Sequence, residues 1–136
     1  MDIIMSYTST ISDSMSAYTV LVVEDDMMVR MPIAEYLRDC GYNVLEAGDA
    51  SEAIAVLDAT VPVSLVFSDV RMPGSMDGFG LARWLRSHHP DIPVILTSGY
   101  NNSRSLSQDL AQGVRLIEKP YLQGHVARRI RDLLDN

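Results

Sequence analysis

Apolar and polar positions follow one another along this chain in a repeating order. Five short runs rich in β-branched and aliphatic residues occur at 19–24, 43–47, 63–68, 92–97 and 114–118, and each reads as a strand. Between them the apolar positions change to helical spacing. Val29, Ile33, Tyr36, Leu37 and Cys40 share one face of a first helix. Asp26 is placed to cap that helix and Gly41 to end it. Pro32 removes a hydrogen bond beyond the first turn and predicts a kink or a late start. A second helix is predicted near 50–59, with Ala53, Ile54 and Leu57 inward, and a third, capped by Asp77, carries Leu81, Trp84 and Leu85 and closes at Pro90. A fourth, near 102–112, is weakened by Ser103, Ser105 and Ser107, which favour caps and turns. The last helix, near 121–135, turns Leu122, Val126, Ile130 and Leu133 to one side and Arg128, Arg129 and Arg131 largely to the other.

Strict alternation of strand and helix predicts an α/β fold, a parallel sheet covered on both faces with right-handed crossovers. In such sheets ligands bind outside the carboxyl ends of the strands. The polar residues with chemical potential fall at those ends. Glu24, Asp25 and Asp26 follow the run Thr19-Val20-Leu21-Val22-Val23, Asp69 follows the third run, Thr97 and Ser98 stand at the end of the fourth, and Lys119 follows the fifth.

Composition narrows the function. A chain of 136 residues, 47% hydrophobic and 21% charged, suffices for one core. No stretch approaches the roughly 20 apolar residues of a membrane helix, and a net charge of −7 opposes nucleic-acid binding. A single cysteine, Cys40, allows no intramolecular disulfide and suits a reducing cytoplasm. Its place beside Leu37 predicts a buried packing role. Residues 1–17 lack the basic and apolar regions of a signal peptide and read as a flexible polar tail, with translation expected to begin as late as Met15. The ending Leu133-Leu134-Asp135-Asn136 reads as a natural stop.

Three carboxylates, a hydroxyl and a lysine at one sheet edge suit phosphoryl chemistry on a protein carboxylate. Mg²⁺ takes one or two carboxylates plus phosphate oxygens and keeps some waters, so Asp25, with Glu24 partly through water, is expected to hold it beside Asp69. Asp69 is then the nucleophile. Phosphoryl transfer is catalysed mainly by positioning and electrostatics. The Lys119 ammonium supplies positive charge, and the Thr97 hydroxyl supplies a hydrogen bond once the phosphoryl group has arrived.

Five motifs, in order over residues 18–136, carry a resemblance. Val22-Val23-Glu24-Asp25-Asp26, Ser68-Asp69-Val70-Arg71-Met72-Pro73-Gly74, Met76-Asp77-Gly78, Ile95-Leu96-Thr97-Ser98-Gly99-Tyr100 and Glu118-Lys119-Pro120-Tyr121 resemble those of the CheY-like receiver domain of two-component response regulators. The resemblance implies a flavodoxin-like, doubly wound five-stranded sheet of order 2-1-3-4-5. It implies that Asp69 accepts phosphate from a histidine kinase or phosphotransfer protein. By the same likeness Glu24, Asp25, Asp69 and the backbone carbonyl of Arg71 line a Mg²⁺ site, Thr97 and Lys119 bind the phosphoryl group, and the Lys119–Pro120 bond is a candidate for cis. The partner surface is expected on the predicted fourth helix, the fifth strand and the last helix, and a homodimer is compatible with it.

Departures from the family pattern add expectations. The switch aromatic of the family lies three residues before the lysine, where this chain has Leu116, and Tyr100 is expected to take over its signalling role beside Thr97. Gly99 and Arg71 stand where the family tunes dephosphorylation, and Gly99 leaves that side open to water. Two other functions compete with a signalling switch that acts as an enzyme only on itself. One is a Mg²⁺-dependent phosphohydrolase of the haloacid dehalogenase type, which expects Asp-x-Asp where this chain has Glu24-Asp25-Asp26. The other is a pseudo-receiver scaffold, against which the intact acidic site argues. Asp26 reads as a cap, Gly74, Gly78 and Gly80 as turn and packing residues, and His88-His89 as helix-end residues.

Overall fold

The computed structural model describes residues 18–99 and 115–135. Its strands are β1 (Thr19–Val23), β2 (Asn43–Ala47), β3 (Leu65–Asp69), β4 (Val94–Ser98) and β5 (Arg115–Glu118), and its helices are α1 (Met27–Asp39), α2 (Ala50–Asp58), α3 (Gly78–His88) and α4 (Gln123–Leu134). All pairings are parallel, in the order β2-β1-β3-β4-β5. This is the expected flavodoxin-like α/β sheet. Residues 1–17, the predicted helix near 102–112 and Tyr100 lie outside the described residues.

The alternation of side chains along a strand divides the core in two. Val20 and Val22 of β1 pack with Ile33, Ala34 and Leu37 of α1 and with Val126 and Ile130 of α4. Leu21 and Val23 face the other way, onto Ala53 and Leu57 of α2 and Leu81 and Leu85 of α3. With every residue of β1 buried, this strand can hold no charge along its length. Its first charged residue comes where it leaves the sheet.

Two helix starts follow the predicted caps, Asp26 and Asp77, and a third is capped by Asp49, where no cap was expected. Asp26 Oδ1 accepts from the Met28 N–H at 2.9 Å, Asp49 Oδ1 from that of Glu52 at 2.8 Å, and Asp77 Oδ1 from that of Gly80 at 2.9 Å. Gly41, at φ 102°, follows α1. The late start expected from Pro32 does not occur, for α1 runs from Met27 to Asp39. The bond that Pro32 forfeits is to the carbonyl of Met28, a residue 83% exposed, where water can replace it. Cys40, expected to be buried, caps α1 and is only partly covered.

The third and fourth strands begin two residues later than predicted, at Leu65 and Val94. Val63 and Ile92 still pack on the core, so the apolar run records burial rather than pairing. At the open edge, the Asn43 N–H and the Ala47 carbonyl both bond toward β1, so the Val44 carbonyl between them points outward. Arg38 Nη2 donates to that carbonyl at 3.0 Å, occupying an acceptor that a second strand would otherwise use.

One close approach fixes the turn after β3. The Gly78 N–H donates to the Val70 carbonyl at 2.7 Å, and a Cβ on Gly78 would collide with the Asp69 carbonyl and stand 2.7 Å from Val70 Cα. Gly78→Ala is therefore expected to push the Asp69–Val70 backbone aside and to lower stability by about 1–3 kcal/mol, read as a lower urea midpoint. An unchanged midpoint would show that the turn yields without cost.

Candidate functional site

The parallel sheet delivers the carboxyl ends of β1, β3 and β5 to one rim. Glu24, the first residue beyond β1, is 6% exposed. Its N–H donates to the Ala47 carbonyl at 3.0 Å and its Oε2 accepts from the Asp26 N–H at 3.1 Å. Burial raises its pKa to about 7; the Asp26 N–H pulls the other way, and the charge of Asp69 adds to the rise. Asp69 ends β3 at 9% exposure. The Arg71 N–H donates to its Oδ1 at 3.4 Å, and the Ser68 hydroxyl donates to its carbonyl at 2.9 Å.

Lys119 follows β5, and its N–H donates to the Ser98 carbonyl at 2.9 Å. Its ammonium lies 3.1 Å from Asp69 Oδ2 and 3.4 Å from Glu24 Oε1. Burial works against that charge, but the hydrogen bond and attraction from Asp69, and then Glu24, outweigh it and hold the pKa above the usual lysine value. The Lys119–Pro120 bond is cis. Thr97 pairs with Asp69 across the β3–β4 register and is 2% exposed.

Glu24, Asp25, Asp26, Asp69, Arg71 and Lys119 line a cavity of about 580 Å³. Glu24, Asp25 and Asp69 each offer an oxygen within 4.8 Å of the others, and among the described residues they are the acids placed to hold a metal ion. An all-oxygen donor set of this charge fits a hard divalent cation. The sequence-predicted residues Glu24, Asp25, Asp69, Arg71 and Lys119 thus share one cavity, with Thr97 beside it in the sheet. Tyr100 lies outside the described residues. Leu116, at the position of the family's aromatic, packs against the cluster of Val70, Phe79, Ala82 and Leu96.

Asp26 is a cap, as expected. At the opposite end of the sheet, His88 stacks on Trp84 with ring centroids 4.5 Å apart, and His89 Nε2 lies 3.7 Å from Asp58. Sequence reasoning missed Arg30, whose Nη1 donates to the Glu24 carbonyl at 2.8 Å and whose Nε donates to Glu46 at 3.0 Å. The available signal was a cation near the start of a helix, where the macrodipole disfavours it.

Comparisons with known proteins bear on the fold and the family. The family model for the response regulator receiver domain matches residues 20–131. The sensor kinase CckA of Brucella abortus is 38% identical over 128 residues, covering 91% of this chain and 13% of that protein. The nitrogen assimilation regulatory protein NtrX of Azorhizobium caulinodans is 34% identical over 107 residues, covering 77% of this chain and 23% of that protein. The chain thus spans only a small part of these relatives. The crystal structure of the receiver domain of NtrX from Brucella abortus superposes with a TM-score of 0.78 at 31% identity, covering 86% of this chain and 98% of that one.

The raised pKa of Glu24 sets a pH window. The folded, metal-free protein holds a proton on Glu24 up to about pH 7, whereas an ordinary glutamate releases it near 4.5. The stability contributed by that protonation is present below 4.5 and is lost as pH rises through about 7. A cation must displace the same proton. Any rise in Tm that a divalent cation such as Mg²⁺ causes at this cluster is therefore expected to be larger at pH 8 than at pH 6, and to lose this difference in Glu24→Gln. Equal rises in the wild type at both pH values would remove Glu24 from the site.

Proposed function

The chain belongs to the response regulator receiver family, and from that premise we propose that it is a phosphorylation-dependent switch of a two-component system, with Asp69 as phosphoacceptor. The observation that carries this reading is the Asp69 carboxylate, held by Lys119 at 3.1 Å within an oxygen cluster fitted to a cation. The phosphodonor is a histidine kinase or phosphotransfer protein. One Asp69 oxygen attacks phosphorus, the O–P bond forms as the donor's N–P bond breaks, and the imidazole leaves with a proton.

Glu24, Asp25, Asp69 and the Arg71 backbone carbonyl would hold Mg²⁺, which supplies charge neutralisation at the transferring phosphoryl group. Lys119 remains an ammonium and moves its hydrogen bond from the Asp69 carboxylate to a phosphoryl oxygen. The Thr97 hydroxyl then binds a second one. The protein acts as an enzyme only in its own phosphorylation and hydrolysis. Its output is a change in contacts to a downstream protein on β5 and α4, with the segment near 102–112 and Tyr100, outside the described residues, expected to contribute to the signal. We place it in the cytoplasm, without nucleic acid or membrane as partner.

Acetyl phosphate with Mg²⁺, followed by intact mass, tests the reading. A single phosphoryl adduct is expected in the wild type and none in Asp69→Asn. Turnover of phosphomonoesters would favour a hydrolase instead, and absence of both adduct and turnover a scaffold.

Gly99 bears on the lifetime of the adduct. Among the described residues a Cβ there would meet nothing within 4 Å, and glycine itself puts no side chain between that face and attacking water. A short phosphoryl lifetime is expected, read by the decay of the adduct after donor removal, and persistence over many hours would contradict it.

A further inference from the structure

Arg30 grips the acidic turn without lining its cavity. It stands at the end of the first turn of α1, where the helix dipole disfavours a cation, and its side chain is only 15% exposed. Two acceptors match that position. Nη1 donates to the Glu24 carbonyl at 2.8 Å, and Nε donates to Glu46 Oε1 on β2 at 3.0 Å. Glu46 is itself fixed by Arg38, whose Nη2 lies 3.1 Å from its Oε2. The main chain of Glu24 is thereby held at both ends, its N–H by the Ala47 carbonyl and its C=O by Arg30. The peptide so held joins Glu24 to Asp25, two of the three clustered carboxylates.

We infer that Arg30 is a positioning residue for the cation site. By clamping the Glu24 carbonyl against Glu46, it sets the turn so that the Glu24 and Asp25 carboxylates converge with Asp69. This rests on reading the acidic cavity as a cation site. The sign of the effect separates position from charge. A guanidinium near a cation site repels the cation, so if charge alone mattered, removing it would tighten binding. If position matters, removal weakens binding. A lysine keeps the charge but lacks the planar fork that spans two acceptors.

The test titrates Mg²⁺ calorimetrically into the wild type, R30M, R30K and D25N, with circular dichroism and Tm recorded for each. Groups that orient metal ligands are typically worth ten- to a hundredfold in affinity. R30M and R30K are expected to weaken Mg²⁺ binding by about tenfold, the low end, because Arg30 acts through a main-chain carbonyl. Should R30M fail to fold, R30K decides. Wild-type affinity in R30K, or tighter binding in R30M, overturns the role of Arg30 and leaves the site intact. A lower Tm with unchanged affinity assigns Arg30 to stability alone and likewise overturns it. Wild-type protein that binds no more Mg²⁺ than D25N overturns the reading of the site, and this inference with it.

Discussion

Like charges meet at one end of the sheet, and the Lys119 ammonium makes that meeting tolerable. Glu24, Asp25 and Asp69 offer oxygens within 4.8 Å of one another, a separation at which two unit charges repel by roughly 3 kcal/mol at an effective dielectric near 20. The two buried members answer this differently. Asp69 pairs with Lys119 at 3.1 Å. Glu24, deeper and less well paired, has its pKa raised to about 7 by burial. Lys119 keeps 30% of its side chain in solvent, whereas Glu24 and Asp69 keep 7% and 10%. Removing the lysine would leave the acids buried and unpaired, the costly case for buried charge.

This contact depends on the whole sheet. Glu24 and Lys119 are 95 residues apart in sequence, and only the parallel arrangement brings their strand ends to one rim. The order of strands does the rest. β1 lies next to β3, which sets Glu24 and Asp25 beside Asp69, while Lys119 reaches in from the edge strand past β4. Its N–H on the Ser98 carbonyl anchors its backbone to β4 for that reach. Gly78 serves the same geometry from α3, because the helix start lies against the Asp69–Val70 backbone where no Cβ fits.

Local chemistry made much of this legible in the sequence. The caps Asp26 and Asp77 act within their own turns, and the acids at strand ends mark the rim because a strand buried on both faces excludes charge. The resemblance to receivers added the sheet order and the cis bond at Lys119–Pro120. Strand starts were legible only approximately, since Val63 and Ile92 are apolar for the core without being paired. Arg30 and Glu46 were legible only as a cation near a helix start and an acid on a strand, not as a pair. Their contact joins α1 to β2, and its purpose appears only once the Glu24 carbonyl is seen as a third partner.

Lys119 also gives the site a mechanical neighbour. Two residues on, Tyr121 meets Phe67 edge to face, with ring centroids 5.7 Å apart at 75°. Phe67 lies on β3 two residues before Asp69, so the same two chain segments touch twice, once through the Lys119–Asp69 ion pair and once through the rings. α4 begins just beyond, at Gln123. On the proposed reading, a phosphoryl group on Asp69 places its oxygens farther out than the carboxylate, and Lys119 must follow them. The ring contact then resists or reseats, because Pro120 and Tyr121 are covalently the next links. A partner touching only β5 and α4 can distinguish the two forms if this displacement alters its contacts, since a ligand shifts an equilibrium only by its difference in affinity for the two states.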